Sequence, residues 1–142
     1  MRRPLRGEQG IALVIAVMSM MLMTALGSAL VLTTMTEAGV ASNYVSGVEA
    51  FYAAEAEVER TLSDLPAIGD WHSLIGLRVD RTTTPHVHVI LTVAAAAIDG
   101  AIVVRAQAYG PRDVERTVEA TVAHTDEVGP ASVRLVGWRE VR

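Results

Sequence analysis

The chain has 142 residues, a length that suits a single domain, and 51% of them are hydrophobic. Its formal net charge of −4 leaves no overall positive field of the kind that attracts nucleic acid. Cysteine is absent, which excludes disulfides, thiolate zinc sites and a cysteine nucleophile.

The N-terminal part of the chain contains a long segment without charge. No charged side chain occurs from Gln9 to Thr36, and the 22 residues from Ile11 to Leu32 are almost all apolar. An α-helix of that length spans about 30 Å, the thickness of the hydrocarbon layer, and satisfies its own backbone polar groups. Three arginines (Arg2, Arg3 and Arg6) precede it, so the positive-inside rule predicts a transmembrane helix with a cytoplasmic N-terminus.

An ordinary secretory signal is the alternative for this segment. Its cleavage site would fall near the small residues Gly27, Ser28 and Ala29. The apolar run, however, continues through Leu32, whereas the apolar part of a signal peptide is about 7–15 residues long. The length therefore favours a membrane anchor that is retained.

A helical pattern continues beyond Thr36. Apolar and aromatic residues recur there at intervals of three and four, which is typical of a helix with one apolar face. Pro66 ends the pattern, so we predict one helix from about Ile11 to about Leu65. The predicted stripe consists of Val40, Tyr44, Val48, Phe51, Val58, Leu62 and Leu65.

Glu55 occupies the one stripe position that is not apolar. A buried carboxylate without partners is costly, so this side chain requires donors. Two interpretations remain open at this point: a structural hydrogen bond to the loop after the helix, or a contact with another subunit.

The second half of the chain alternates apolar and polar residues in short runs, the period of half-buried strands. Asp99-Gly100 and the sequence Gly110 to Asp113 separate these runs as turns. Short connections indicate an antiparallel meander without helical crossovers. The predicted strands are 87–93, Ala101–Tyr109, Val114–His124 and Ser132–Val141, and Leu77–Asp80 is too short to assign.

A meander of this kind has one apolar face, and the stripe on the long helix is available to cover it. The predicted fold class is therefore α+β. A long N-terminal helix spans the membrane with its first half and packs with its second half on an antiparallel β-meander.

The sequence offers little support for catalysis. His86 and His88 form an H-x-H pair, but the alternation places them on the outer face of the sheet, with no carboxylate pattern to complete a metal site. There is neither a nucleophile elbow nor a glycine-rich phosphate loop, so we expect no enzyme, no metal and no cofactor. The large aromatic residues are interpreted as core or interface anchors: Trp71, Trp138, Tyr44 and Tyr52.

Two stretches carry a family resemblance. RGEQGIALVIAV resembles the short basic leader, ending in glycine, that precedes the apolar segment of prepilins. EAGVASNYVSGVEAFYAAEAEVER, with Asn43 and the run AFYAAEA from Ala50 to Ala56, is similar to the region that follows in PilX-type minor pilins. The closing SVRLVGWREVR is only weakly similar to their last strand. The chain is identified as a PilX-like minor pilin of type IV pili, related to the GspK-type minor pseudopilins of type II secretion.

This resemblance implies a pilin-like organisation: a prepilin leader (1–10), a transmembrane segment (11–36), a helical extension packed on the head (37–65) and the sheet of an extracytoplasmic head (66–142). It implies cleavage between Gly10 and Ile11 by a prepilin peptidase. The implied partners are the inner membrane, other pilins and minor pilins, and the pilus assembly platform, with no nucleic acid. The residues implied in filament and helix packing are Ile15, Glu37, Phe51, Tyr52 and Glu55.

Ile15 departs from the pattern of major pilins. They usually carry glutamate at the fifth residue of the mature chain, where it pairs with the N-terminal amine of a neighbour, and that position here is Ile15. The predicted function is therefore a subunit that primes or caps a type IV pilus or a type II secretion pseudopilus. Two alternatives stay open: an unprocessed single-pass membrane protein whose extracytoplasmic domain binds a partner or ligand, and a secreted protein cut near Ala29.

Overall fold

A computed structural model describes residues 6–125 and 133–141. The first element is a single helix, α1, from Arg6 to Asp64. Contacts divide the chain into two compact units, Met1–Ser42 and Asn43–Arg142, which are treated separately below.

The N-terminal unit consists, within the described residues, of the first part of α1. This helix is long and apolar enough to cross a membrane, as predicted. Its hydroxyl side chains bond back to the helix: Thr24 Oγ1 donates to the carbonyl oxygen of Met20 and Ser28 Oγ to that of Thr24, each at 2.8 Å. These bonds satisfy the hydroxyl groups of Thr24 and Ser28, so both residues are compatible with lipid.

The second unit contains the five-stranded antiparallel sheet in the order β1-β2-β3-β4-β5. Strand order follows chain order, which confirms the predicted meander and the α+β class. The strands are β1 Arg78–Thr84, β2 Val87–Ala95, β3 Ala101–Tyr109, β4 Glu115–His124 and β5 Val133–Val141. Ser132, the predicted start of the last strand, lies outside the described residues.

Strand β1 was not predicted, because its residues show almost no apolar alternation. Most of them are exposed, and Val79 is half-buried opposite Leu91. The strand is held instead by pairing with β2 and by polar contacts: Arg81 lies 3.2 Å from Glu57 on α1, and Asp80 lies 3.0 Å from His88.

The two predicted turns are confirmed. Gly100, between β2 and β3, has a φ of +73°, a conformation that glycine adopts without strain. After β3 the chain makes a short 3₁₀ helix, Pro111–Asp113, and the Gly110 amide donates to Val114 at 2.8 Å. Gly110 lies against α1: an added Cβ would stand 3.6 Å from the Cβ of Ala50. This turn is therefore part of the contact between helix and sheet.

The predicted helix stripe is right only in part. Val58 and Leu65 are fully buried, and Phe51 and Leu62 are half-buried against the core. In contrast, Tyr44 is 72% and Val48 36% exposed, and Val40 is also exposed. The stripe prediction was wrong for those three residues.

Small residues occupy the buried face in their place. From Ser46 to Ala54 the buried helix residues carry at most a hydroxymethyl group. Of these, Ala50, Ala53 and Ala54 belong to the same hydrophobic core as the valine-rich face of β2, β3 and β4. A surface of small residues lets a helix approach a sheet closely. The branched side chains of the sheet then fill most of the space between helix and sheet. The small buried residues are Ser46, Gly47, Ala50, Ala53 and Ala54.

Trp71 closes one end of the core. Two short 3₁₀ helices, Leu65–Ala67 and Trp71–Leu74, connect α1 to β1. The Trp71 side chain is 5% exposed, its Nε1 donates to the carbonyl oxygen of Leu65 at 3.1 Å, and its ring stands edge-on to His124 at 5.0 Å. Trp71 was predicted to be a core or interface anchor, and the structure places it in the core.

The small-residue face generates a stability prediction. Replacing Ala50, which is fully buried, by leucine forces three extra carbons into the helix–sheet contact and is expected to lower the free energy of unfolding by about 1–3 kcal/mol. The matched control is Val48→Leu on the exposed side of the same helix, expected to change it by less than about 0.5 kcal/mol. Urea unfolding of the full chain in nonionic micelles, followed by tryptophan fluorescence, measures both. Equal effects would contradict the assignment of the buried face.

Candidate functional site

The predicted cleavage site lies within α1. Gly10 and Ile11 are helical and exposed, and nothing lies within 4 Å of the position of a Cβ on Gly10. The leader residues before Arg6 lie outside the described residues. The bond between Gly10 and Ile11 is therefore accessible, but in helical geometry.

Ile15 and Glu37 lie on the exposed surface of the N-terminal unit. Ile15 is 59% exposed, and the large apolar residues around it are exposed to a similar degree on every side of the helix. A helix that is apolar all round requires lipid or other apolar helices as its surroundings. Glu37 provides the first charge after this surface.

Phe51, Tyr52 and Glu55 lie together on α1 in the second unit. Phe51 packs partly on the core, and its ring meets that of Tyr52 edge-on at 5.7 Å, while Tyr52 remains 62% exposed. Glu55 is half-buried, and no hydrogen bond or ion pair joins it to another described residue. Within the described residues, nothing therefore supports a hydrogen bond from Glu55 to the loop after the helix. The contact of Glu55 with another subunit stays a prediction.

A shallow groove of about 240 Å³ runs beside these aromatic residues. The exposed residues Tyr44, Val48 and Tyr52 form one side at four-residue spacing, and Arg116 with Glu140 forms the other. Arg116 lies across the helix at Gly47: its Nη2 is 3.1 Å from the position of an added Cβ. Glycine at this position thus lets the guanidinium group approach the helix backbone.

A buried carboxylate on the outer face of the sheet was missed by the sequence analysis. The predicted alternation of β4 is confirmed, with Val118, Ala120 and Val122 fully buried toward the helix. Glu119 belongs to the opposite face, as predicted, but it is only 3% exposed.

Two arginines account for this burial. The strand register places Arg105 on β3 and Arg139 on β5 directly opposite Glu119. Arg139 Nε donates to Glu119 Oε2 at 2.7 Å, Arg105 Nε donates to Oε1, and each guanidinium also pairs with its carboxylate oxygen through Nη2. We call these three residues the arginine clamp. It ties β3, β4 and β5 together on the side of the sheet that the helix does not cover.

The clamp changes the acidity of Glu119. Desolvation raises the pKa of this carboxyl, but hydrogen bonds from Arg139 and Arg105 and their positive charges lower it by more, so the pKa lies below its ordinary value of 4.5. The arginines reach Glu119 only through the pairing of three strands, so the pattern along β4 alone does not reveal this burial.

The histidines do not converge. His86 lies in the turn before β2, and His88 lies on the outer face, where its ring is 6.4 Å from that of Tyr109. His124 packs on Trp71 at the opposite end of the strands.

Comparison with known protein families gives a match within α1. Residues 9–59 match the PilX N-terminal family model. The match covers just over a third of the chain, from the residue before Gly10 to Glu59, and includes each residue implied in cleavage and packing. This part of the chain is thus similar to the N-terminal part of PilX-type pilins, and its helix is long and apolar enough to cross a membrane. No curated protein and no solved structure gives a match to this chain.

The arginine clamp generates a prediction of pH dependence. Because the pKa of Glu119 is lower in the folded chain, its contribution to stability is complete well above pH 4.5 and is lost as the pH falls through the folded pKa. Glu119→Gln is expected to lower the free energy of unfolding by about 1–3 kcal/mol at pH 7, since the hydrogen bonds to charged groups are weakened.

The measurement is urea unfolding of wild type and variant between pH 3 and pH 8. The difference between them is expected to be constant above about pH 6 and to shrink below about pH 4.5, because Glu119 then binds a proton in the unfolded chain while it is still ionised in the folded one. The control is Glu115→Gln, an exposed glutamate on the same strand, for which little change is expected. A Glu119 effect that persists undiminished at pH 3 would contradict the electrostatic origin of the clamp.

Proposed function

We propose that this chain is a minor pilin-like subunit that primes or caps a type IV pilus or the related pseudopilus of type II secretion. The proposal rests on the match of residues 9–59 to the PilX N-terminal family model. The matched range includes the apolar part of α1 and most of the part that packs on the sheet. In this role the helix anchors the subunit in the inner membrane before assembly. It then exchanges lipid for the helices of other pilins, and the sheet unit stays on the extracytoplasmic side.

The leader supports a pilin-type maturation. A prepilin peptidase would cut after Gly10 on the cytoplasmic side, remove the basic residues and leave Ile11 as the new N-terminus. The apolar segment is kept, in contrast to an ordinary secretory signal. Its surface is apolar on all sides, as is required in a bilayer and in a bundle of similar helices.

Ile15 favours a terminal position in the filament over a repeated one. A subunit within a shaft buries its N-terminal amine beside a neighbouring helix, and a carboxylate there offsets the cost of burying that charge. Isoleucine offers no such partner. A subunit at the tip has a neighbour on only one side along the filament axis. It therefore avoids the cost of an unpaired buried amine on the other side.

One observation favours the alternative of an unprocessed single-pass membrane protein with an extracytoplasmic binding domain. Helix α1 begins at Arg6 and continues through the bond between Gly10 and Ile11. Its carbonyl and amide groups are therefore engaged in helix hydrogen bonds around the bond to be cut. Processing requires that the peptidase unwinds this part of the helix.

N-terminal sequencing of the membrane fraction separates these functions. The pilin function predicts a chain that starts at Ile11 when a prepilin peptidase is co-expressed, whereas the unprocessed alternative predicts Met1. Gly10→Ala is expected to reduce the processed fraction severalfold, because the peptidase must accommodate an added methyl group at the cut. Gly7→Ala, within the same leader, is the control and should be processed normally. Normal processing of Gly10→Ala would refute the assigned site.

The position of the subunit is tested by its abundance. Deletion of the gene is expected to reduce the number of filaments, while quantitative mass spectrometry of sheared filaments finds far less of this chain than of the major subunit. Ile15→Glu supplies the missing carboxylate and is expected to increase its incorporation into the shaft, with Val14→Glu as the control for an added charge alone. Wild-type protein at shaft stoichiometry would contradict the terminal position.

A further inference from the structure

The apolar face of the sheet is buried on β4 but not on β5. Ala120 and Val122 on β4 are fully buried. Their directly opposite partners on β5, Trp138 and Leu135, remain 37% and 52% exposed. Opposite residues of neighbouring antiparallel strands project from the same face of a sheet. The cover over the apolar face therefore ends between β4 and β5 at these positions.

One side of α1 borders this uncovered part of β5. Phe51 of α1 and Glu140 of β5 line the same groove, described above. Trp138 precedes Glu140 by two residues in the strand and projects from the same face, so it adjoins the groove. We call this surface the β5 groove, and its apolar and aromatic residues are Tyr44, Val48, Phe51, Leu135 and Trp138.

The β5 groove has one negative charge without a partner. Arg116 Nε lies 3.8 Å from Glu140 Oε1, so the charges of these two residues offset each other. Glu55 lies one turn after Phe51 on the same side of α1. It is half-buried and has no hydrogen bond or ion pair with another described residue. Its negative charge is therefore uncompensated within the described part of the chain.

This carboxylate decides which kind of occupant fits the β5 groove. A purely apolar occupant would bury Glu55 without a partner, which is costly. An acidic occupant would add repulsion between like charges. An occupant that combines apolar side chains with a basic one satisfies both the uncovered strand and the carboxylate.

We propose that the β5 groove binds a basic-apolar segment of a partner protein. Apolar side chains of the segment pack on Phe51, Leu135 and Trp138, and an adjacent lysine or arginine pairs with Glu55. This binding site goes beyond the proposed filament role. Its residues all belong to the unit Asn43–Arg142, so its test does not depend on leader processing or assembly.

The test uses the purified full chain in nonionic micelles and three synthetic peptides. The probe peptide is acetyl-Leu-Lys-Leu-Lys-Leu-amide. Two control peptides each change one property: glutamate replaces lysine in the first, and serine replaces leucine in the second. Calorimetry gives the dissociation constants after subtraction of the heat of each peptide with micelles alone. Wild type is expected to bind the probe peptide saturably and both controls about tenfold more weakly.

Substitutions of Glu55 test the charge. Glu55→Gln removes the negative charge at nearly constant shape and is expected to weaken binding of the probe peptide about tenfold. Glu49→Gln is the matched control, because Glu49 is an exposed glutamate of α1 that does not line the groove, and a change of less than about threefold is expected. Glu55→Lys is expected to reverse the preference, so that the glutamate peptide binds more tightly than the probe peptide.

A second pair of variants tests the apolar part. Leu135 is 52% exposed, and Ile98, in the turn after β2 and outside the groove, is 53% exposed. Binding is expected to weaken about fivefold in Leu135→Asn and less than about twofold in Ile98→Asn. Both side chains are exposed, so unfolding in urea is expected to show the wild-type fold in each variant.

Four outcomes of these titrations would overturn the proposal: equal losses in Glu55→Gln and Glu49→Gln, equal losses in Leu135→Asn and Ile98→Asn, equal binding of the lysine and glutamate peptides, or no saturable binding by wild type. Sedimentation of the full chain tests a second copy as the occupant. A monomer is expected, and a dimer that Leu135→Asn dissociates would assign the β5 groove to self-association instead.

Discussion

The contact between the small-residue face of α1 and the valine-rich face of the sheet is the constraint on which the sheet unit depends. The meander has one apolar face to cover, and the chain has no disulfide to replace that burial. Alanine residues on the helix let the branched side chains of β2, β3 and β4 fill the contact. The turn at Gly110 and the ring of Trp71 complete the same core at its borders.

This arrangement explains why large side chains are found on the other side of the helix. Tyr44, Val48 and Tyr52 lie outside the hydrophobic core of the sheet unit. Their exposure beside the groove at Arg116 leaves them available for contacts with other molecules. The side of the helix that packs on the sheet therefore carries small residues. The side that is available to a partner carries large ones.

The sequence predicted the elements better than it predicted which side chains are buried. The uncharged run to Thr36, the Asp99-Gly100 turn and the alternation in β4 have strong local signals, and the structure confirms them. Which residues of α1 are buried depends on the part of the sheet that faces them. The prediction wrongly placed large apolar residues on the buried face, which carries mainly alanine. Strand β1 has no apolar alternation, and the burial of Glu119 arises from residues on two other strands. Both are long-range effects that a local pattern does not contain.

The hydroxyl groups of the apolar helix have a further consequence. Those of Thr24, Ser28 and Thr36 each donate to a carbonyl oxygen one turn earlier in the same helix. They need no partner from the surroundings, whether these are lipid or protein. When the helix moves from one environment to the other, these three hydrogen bonds do not have to be broken. These three hydroxyl groups therefore add no hydrogen-bonding cost to the transfer of the helix between lipid and protein.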